Sequence, residues 1–199
     1  MNSQPTVAEY FDAKAATWDD MPCHDDAKHI AVAVLAGVEQ GSRVLDLGCG
    51  TGIMAPAYLA AGAARVLGVD VAPGMIARAS EKFAGESRVD FACCDAIDLE
   101  AGETFDRVVI YNAYPHFMDK AALITAITRV LAPQGRFLVA HGAGRDIINQ
   151  HHHGAVPHCV TSDLDSAKAE SRLWMRNGFD IDILIDTPGI YAFGGVYLG

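Results

Sequence analysis

Two groups of residues in this chain have types and spacings suited to chemistry. The first is Gly48-Cys49-Gly50-Thr51-Gly52, followed by Asp70 and then Asp95. Glycines at these spacings let a backbone turn tightly and approach a ligand closely. A helix starting behind them offers unpaired N–H groups to an anion. Asp70 lies 18 residues past Gly52, about where a carboxylate receives ribose hydroxyls. The second group runs from His141 through Arg145, Asn149, His151, His152 and His153 to His158 and Cys159. Histidine and cysteine at such density suit zinc or another borderline transition metal. The expectation is a metal or acceptor site built from His141, His152 and His153, with Cys159 as a further candidate. The bland alternative is a polar helix with histidines at ordinary surface positions.

Both groups must be positioned by the elements around them. Residues 7–18 read as a helix carrying Tyr10, Phe11 and Trp18. A polar stretch over 19–28 follows, then a helix end over 30–38. Residues 43–47 form a short apolar run closed by glycines, the pattern of a buried strand. A helix is expected after the glycine loop to about Ala61, then a strand over 65–70 ending at Asp70. Pro73 opens the next helix, where its missing N–H costs nothing; it runs to about Phe83. Strands over 89–94 and 105–111, a helix over 120–131 and a strand over 136–140 continue the alternation. Strict alternation of strand and helix predicts a parallel sheet with helices on both faces. The histidines fall just after the last of these strands, near the carboxyl edge where open α/β sheets hold ligands. If 144–153 is helical, Arg145, Asn149 and His152 or His153 share a face. A helix over 165–177 stops at Gly178, and strands over 181–185 and 191–198 flank the turn Asp186-Thr187-Pro188-Gly189. The fold class is therefore α/β: an open Rossmann-like sheet of seven strands, mostly parallel, with a C-terminal antiparallel hairpin. Residues 1–199 read as a single domain. Residues 1–40 form its N-terminal helical cap, and 141–164 a histidine-rich insertion over the active site.

Bulk composition narrows the partners. The chain has 199 residues, 51% hydrophobic and 20% charged, with a formal charge of −10. The hydrophobic share excludes a disordered chain. The acidity opposes phosphate backbones and anionic membranes, so no nucleic-acid or membrane partner is expected. There is no run of about 18 uncharged apolar residues and no basic-then-apolar N-terminus, which predicts a cytoplasmic protein, monomer or homodimer. The five cysteines, at 23, 49, 93, 94 and 159, lack a Cys-x-x-Cys pair. Their odd number argues against a disulfide framework, and reduced thiols are expected.

The glycine loop excludes two common nucleotide sites. A dinucleotide fingerprint needs its third glycine at 53, which is Ile53. A phosphate-binding P-loop needs Gly-Lys-Ser/Thr, which is absent. Val44-Leu45-Asp46-Leu47-Gly48-Cys49-Gly50-Thr51-Gly52 instead resembles the first motif of class I S-adenosylmethionine-dependent methyltransferases. Gly68-Val69-Asp70-Val71-Ala72-Pro73-Gly74-Met75 resembles the second. Cys94-Asp95-Ala96, Asn112-Ala113-Tyr114-Pro115-His116-Phe117 and the segment 129–136 are similar to later motifs, with Gln134 standing where the family has Gly. The resemblance implies S-adenosylmethionine as cofactor. Gly48, Gly50 and Gly52 would pass under its methionine moiety, and Asp46 would order the loop. Asp70 would take both ribose hydroxyls. Asp95 would take the adenine amino group, with Ala96 and Ile97 beside the ring and Val71 and Met75 on its faces. Asn112 would hold the methionine amino group, and Trp18 would cap the pocket.

The acceptor is less determined. Ala113 breaks the Asn/Asp-Pro-Pro-Tyr/Phe pattern of amino-methylating DNA enzymes, and the acidic charge opposes DNA. A small-molecule acceptor is expected, with His116 and His141 as candidate catalytic bases and zinc as a possible second cofactor. Release of S-adenosylhomocysteine would follow transfer. The alternative is a cofactor-binding regulatory or metal-responsive protein without turnover.

Overall fold

The computed structural model describes residues 4–20 and 25–199. Its strands are β1 (Arg43–Leu47), β2 (Arg65–Asp70), β3 (Val89–Cys93), β4 (Phe105–Tyr111), β5 (Leu131–His141), β6 (Phe179–Asp186) and β7 (Tyr191–Tyr197). Its helices are α1 (Val7–Asp12), α2 (Asp26–Leu35), α3 (Ala55–Ala60), α4 (Pro73–Lys82), α5 (Lys120–Val130), α6 (Arg145–Ala155) and α7 (Ala167–Met175). The strands form a seven-stranded sheet in the order β3-β2-β1-β4-β5-β7-β6. Strands β1 to β5 pair in parallel, and β7 runs antiparallel between β5 and β6. This is the Rossmann-like α/β architecture expected, hairpin included.

The inner strands are apolar on successive residues because both faces are covered. Val44, Val66, Val109 and Leu138 point to one face and pack with Val32, Ala33 and Tyr58 of α2 and α3. Leu45, Val108, Phe137 and Val139 point to the other, against Leu123 and Ile127 of α5 and Trp174 of α7. The Trp174 indole stacks on Phe137 with ring centroids 3.6 Å apart. Edge strand β6 alternates instead, with Asp180, Asp182 and Asp186 exposed, which discourages pairing with another chain.

Several boundaries differ from expectation for local reasons. The helix expected over 7–18 ends at Asp12, and a 3-10 segment over Ala15–Asp20 carries Trp18. A Thr6–Glu9 capping box starts α1. Helix α2 begins inside the polar stretch because the Asp25 side chain caps Ala27 and Lys28. Strand β5 begins at Leu131, earlier than residue 136, with an irregularity opposite Phe105–Arg107. Gln134 adopts the left-handed φ of 62° that glycine favours at its position. Cys49, Cys93, Cys94 and Cys159 are free thiols, as expected; Cys23 lies outside the described residues.

Parallel order sends the carboxyl ends of β1, β2, β3, β4 and β5 to one edge of the sheet. Asp46, Asp70, Asp95, Asn112 and His141 are thereby gathered although up to 95 residues separate them.

Candidate active site

The glycine loop leaves β1 with Gly48 at φ 71° and Gly50 at φ 55°, both in the left-handed region. A Cβ on Gly48 would stand 2.5 Å from that of Ala113, so the close approach also demands glycine. Asp70, at the end of β2, fastens the loop. Its Oδ2 accepts from the Gly50 N–H at 2.9 Å and its Oδ1 from the Ala72 N–H at 2.9 Å. A carboxylate has about four lone-pair sites, so acceptor capacity remains for a ligand hydroxyl. Burial raises the Asp70 carboxyl above its usual range, the backbone bonds opposing it.

Asp46 lies behind the loop, 3% exposed. The Tyr58 hydroxyl donates to its Oδ1 at 3.3 Å. Burial outweighs that bond and pushes the Asp46 carboxyl up to about 7. Thr51 donates its hydroxyl to Asp19, and Lys82 pairs with Asp19 at 2.8 Å. The segment carrying Trp18 is thus tied down across the loop. The Trp18 indole N–H is buried without a hydrogen-bond partner, and a Cβ on Gly50 would sit 3.3 Å from that nitrogen.

Asp95 caps a single 3-10 turn over Ala96–Asp98, its Oδ1 accepting from the Ile97 N–H at 3.2 Å. Val71, Met75, Asp95, Ala96 and Ile97 all line one pocket with Trp18, Asp46, Gly48, Gly50 and Asp70. Met75 is both lining and core, packed with Ala15 and Ala72. Gly52 is set behind the loop, facing Phe91 and Phe83.

Beyond β1 the lining changes. Asn112, at φ 55°, accepts the Gly142 N–H on its Oδ1 at 2.9 Å. His116, on a 3-10 turn over Tyr114–His116, places Nδ1 2.8 Å from the Val160 carbonyl oxygen. His141 ends β5, 3% exposed, and its Nε2 has no hydrogen-bond partner. His152 of α6 turns inward, Nδ1 2.9 Å from Thr161 Oγ1, its ring 5.2 Å from that of His116. Burial lowers all three histidines, His141 to about 3 and His152 to about 4. They are neutral at physiological pH.

The expected metal cluster of His141, His152 and His153 does not form. His153 points away, its Nε2 2.8 Å from exposed Asp163, because one residue along a helix rotates the side chain by about 100°. The Cys159 thiol donates to the Pro5 carbonyl oxygen at 3.4 Å. Among the described residues no group of three His, Cys, Asp or Glu side chains is placed to hold a metal ion.

The pocket lined by the glycine loop, Asp70, His116, His141 and His152 has a volume of about 720 Å³, within the range of small-molecule sites. The family model described as a methyltransferase domain matches residues 44–135, from β1 past the start of β5. Over that stretch, a little under half of the chain, the sequence is similar to methyltransferase domains. A demethylmenaquinone methyltransferase of Clavibacter sepedonicus is 32% identical over 139 residues, 67% of this chain and 56% of that protein. The chain spans about half the length, or less, of the curated relatives it matches. The putative methyltransferase of Haloferax volcanii, solved with the Trm112 methyltransferase activator, superposes with a TM-score of 0.78 at 23% identity. That match covers 98% of this chain and 99% of the other. DhpI, solved as a complex with SAH, gives 0.75 at 21% identity over 98% of each chain. At these identities the two structures establish the shared fold.

Some of the pocket's lining residues were outside the expected site set. Tyr10, Phe11 and Lys14 reach the pocket from α1 and the segment after it. Phe11 stands edge-on to His116, centroids 4.7 Å apart. The apolar pair Ile147 and Ile148 lines it from α6. Their signal was present: large apolar residues in otherwise polar helices. Tyr58 beside Asp46 had no such signal, because its contact depends on how α3 packs on β1.

Proposed function

We propose that the protein binds S-adenosylmethionine over the carboxyl ends of β1, β2 and β3 and catalyses methyl transfer to a small-molecule acceptor on the β4 and β5 side. S-adenosylhomocysteine is the second product. The single observation that carries this reading is the glycine loop held to Asp70 through the Gly50 N–H. It sets a close-approach backbone beside a carboxylate suited to ribose hydroxyls.

The residues present fit this cofactor. Loop glycines exclude side chains where the methionine moiety would lie, and Trp18 brings a buried unpartnered N–H to Gly50. Asp70 would accept the ribose hydroxyls, and Asp95 the adenine amino group, between Val71, Met75, Ala96 and Ile97. Asn112 would hold the methionine amino group through its backbone carbonyl, since its side-chain oxygen is occupied by Gly142. The DhpI complex supports the same ligand class.

When bound, the cofactor supplies a methyl group already activated on a sulfonium, so alignment does most of the work. The chain's residues close the site, exclude water and accept a proton when the acceptor needs it. His116 suits that role. Its Nδ1 faces a carbonyl oxygen, which only accepts, so the proton sits on Nδ1 and Nε2 keeps its lone pair. His141 is the neighbouring candidate.

The net charge of −10 supports a small-molecule acceptor over nucleic acid. No helix among the described residues is long and apolar enough to cross a membrane. A cytoplasmic monomer or homodimer is the arrangement we propose. Calorimetric titration with S-adenosylmethionine and S-adenosylhomocysteine tests the reading. Micromolar binding of both is expected, and no binding of either overturns it.

A further inference from the structure

The strand order divides the pocket chemically. Three of its carboxyl groups, buried Asp46, half-buried Asp70 and exposed Asp95, belong to the β3-β2-β1 side. The β4 and β5 side, closed by α6, carries His116, His141 and His152 instead. We propose that this second half is a subsite for an uncharged dihydroxy-substituted aromatic ring, whose hydroxyls bond His116 and His141 and one of which is methylated. The inference rests on the methyl-transfer reading above and names its acceptor.

Three observations converge on that ligand. The first is His141, a polar side chain 3% exposed whose Nε2 has no partner in the protein. A buried polar atom left unpaired is unfavourable, and this one lines the pocket, so a ligand group is its available partner. The second is His116, whose Nδ1–H is committed to the Val160 carbonyl and whose Nε2 therefore accepts. Two such nitrogens require two hydrogen-bonding groups on the ligand. The third is the surrounding surface. Phe11, Tyr10, Phe117, Met118, Ile147 and Ile148 are apolar or aromatic, which suits a flat ring.

The lack of a buried counter-charge in this half disfavours ionic acceptors. Asp119 is spent on capping α5, its Oδ1 accepting from the Ala122 N–H at 2.9 Å. Lys120 pairs with Glu170 at 3.0 Å, and Lys14 lies over the Tyr10 ring at 4.8 Å. An ammonium acceptor would meet neutral histidines with no buried anion, and a carboxylate or phosphate would meet no buried cation. A thiol would leave both nitrogens with a weak hydrogen-bond partner.

The step balances. The phenolic O–H bond breaks and its proton passes to His116 Nε2. The oxygen forms a bond to the methyl carbon as the carbon–sulfur bond breaks, its electron pair remaining on sulfur. The products are a monomethyl ether, S-adenosylhomocysteine and a His116 imidazolium, which returns its proton to solvent.

The test uses 4-nitrocatechol, whose absorption reports binding and ionisation, in mildly acidic buffer where the free probe is un-ionised, on the full chain saturated with S-adenosylhomocysteine. Binding is expected, with a shift toward the ionised band. The dimethyl ether of the same compound, lacking both donors, should bind at least tenfold more weakly. His116→Phe keeps the ring contact with Phe11 and should abolish the ionised-band shift. His141→Leu should raise the probe's dissociation constant at least tenfold while raising the melting temperature, since it removes an unpartnered buried nitrogen. The wild-type comparison of probe and ether needs no variant to fold. Equal binding of probe and ether, absence of probe binding, or unchanged binding in both variants overturns the proposal. Stoichiometric zinc binding lost in the histidine variants also overturns it. S-adenosylhomocysteine affinity, measured separately, should be the same in wild type and variants. Its absence in wild type would sink the methyl-transfer reading instead, with probe binding then measured on the chain alone.

Discussion

Asp70 fastens the glycine loop and, on the proposed function, meets the ribose, so its replacement should show both losses. Its oxygens hold the Gly50 and Ala72 amides and would also meet the ribose. Asp70→Ala is expected to weaken S-adenosylmethionine binding by about 2–4 kcal/mol through loss of charge-assisted bonds, read by calorimetry. Asp46 is a different case. Its folded carboxyl titrates near 7 against an ordinary 3.8. Below about pH 4 both folded and unfolded forms are protonated and burial is free of charge. Between about 4 and 7 the unfolded chain ionises first, so stability attributable to Asp46 is lost as pH rises. Asp46→Asn should therefore leave low-pH stability nearly unchanged. It should raise stability by up to about 4 kcal/mol above pH 7, seen in urea midpoints at pH 4 and pH 8. Sequence alone marked Asp46 as a strand-end residue ordering the loop. It held no sign of the shifted titration, which arises from the packing of Tyr58 and the neighbouring strands.

The elements that place His116 are held by a buried polar network. Glu170 of α7 accepts from Lys120 of α5 at 3.0 Å, from the Asp165 N–H at 3.2 Å and from the Tyr114 hydroxyl at 3.3 Å. The Trp174 indole N–H donates to the same hydroxyl at 3.4 Å. Tyr114 opens the short turn that ends at His116, so Glu170 is a positioning residue for it. Glu170→Ala leaves Lys120 without its partner and should destabilise the protein by about 3 kcal/mol, measured by denaturant unfolding. Glu170→Gln keeps hydrogen-bonding capacity and should cost less. Helix α6 is fixed in a comparable way. Asn149 donates to the Leu164 carbonyl at 3.0 Å and accepts from the Leu164 N–H at 2.9 Å. That anchor turns His152 inward and leaves His153 outside. The helix itself was legible from its sequence; the choice between adjacent histidines was not.

For the whole molecule, the histidine half and Asp46 pull stability in opposite directions with pH. His141 and His152 titrate near 3 and 4 when folded, against an ordinary 6.5. Their folded values are depressed, so their contribution is complete above about pH 6.5 and is lost as pH falls toward 4. Over that span the two histidines, joined by the lowered His116, outweigh the raised carboxyls of Asp46 and Asp70. Stability should peak near pH 6.5 and fall on acidification, and His141→Leu should flatten the acid limb. Chemical denaturation across pH 4 to 8 checks this. A peak at acid pH would mean that the histidines are solvated.

The sequence by itself determined the order of strands and helices, the glycine loop, and the carboxylates at the strand ends. These depend on short-range causes: apolar period, turn residues, and glycine where φ is positive. The tertiary structure decided three further things. It inserted β7 between β5 and β6, joining residues more than 50 apart in the chain, such as Ala140 and Ala192. It divided one pocket into a carboxylate half and a histidine half, because parallel β1 to β5 deliver their ends to one edge in spatial order and not in chain order. It also separated His152 from His153 by the facing of α6. Hydrophobic burial and strand pairing select these arrangements between distant residues, and no local window of sequence contains both partners.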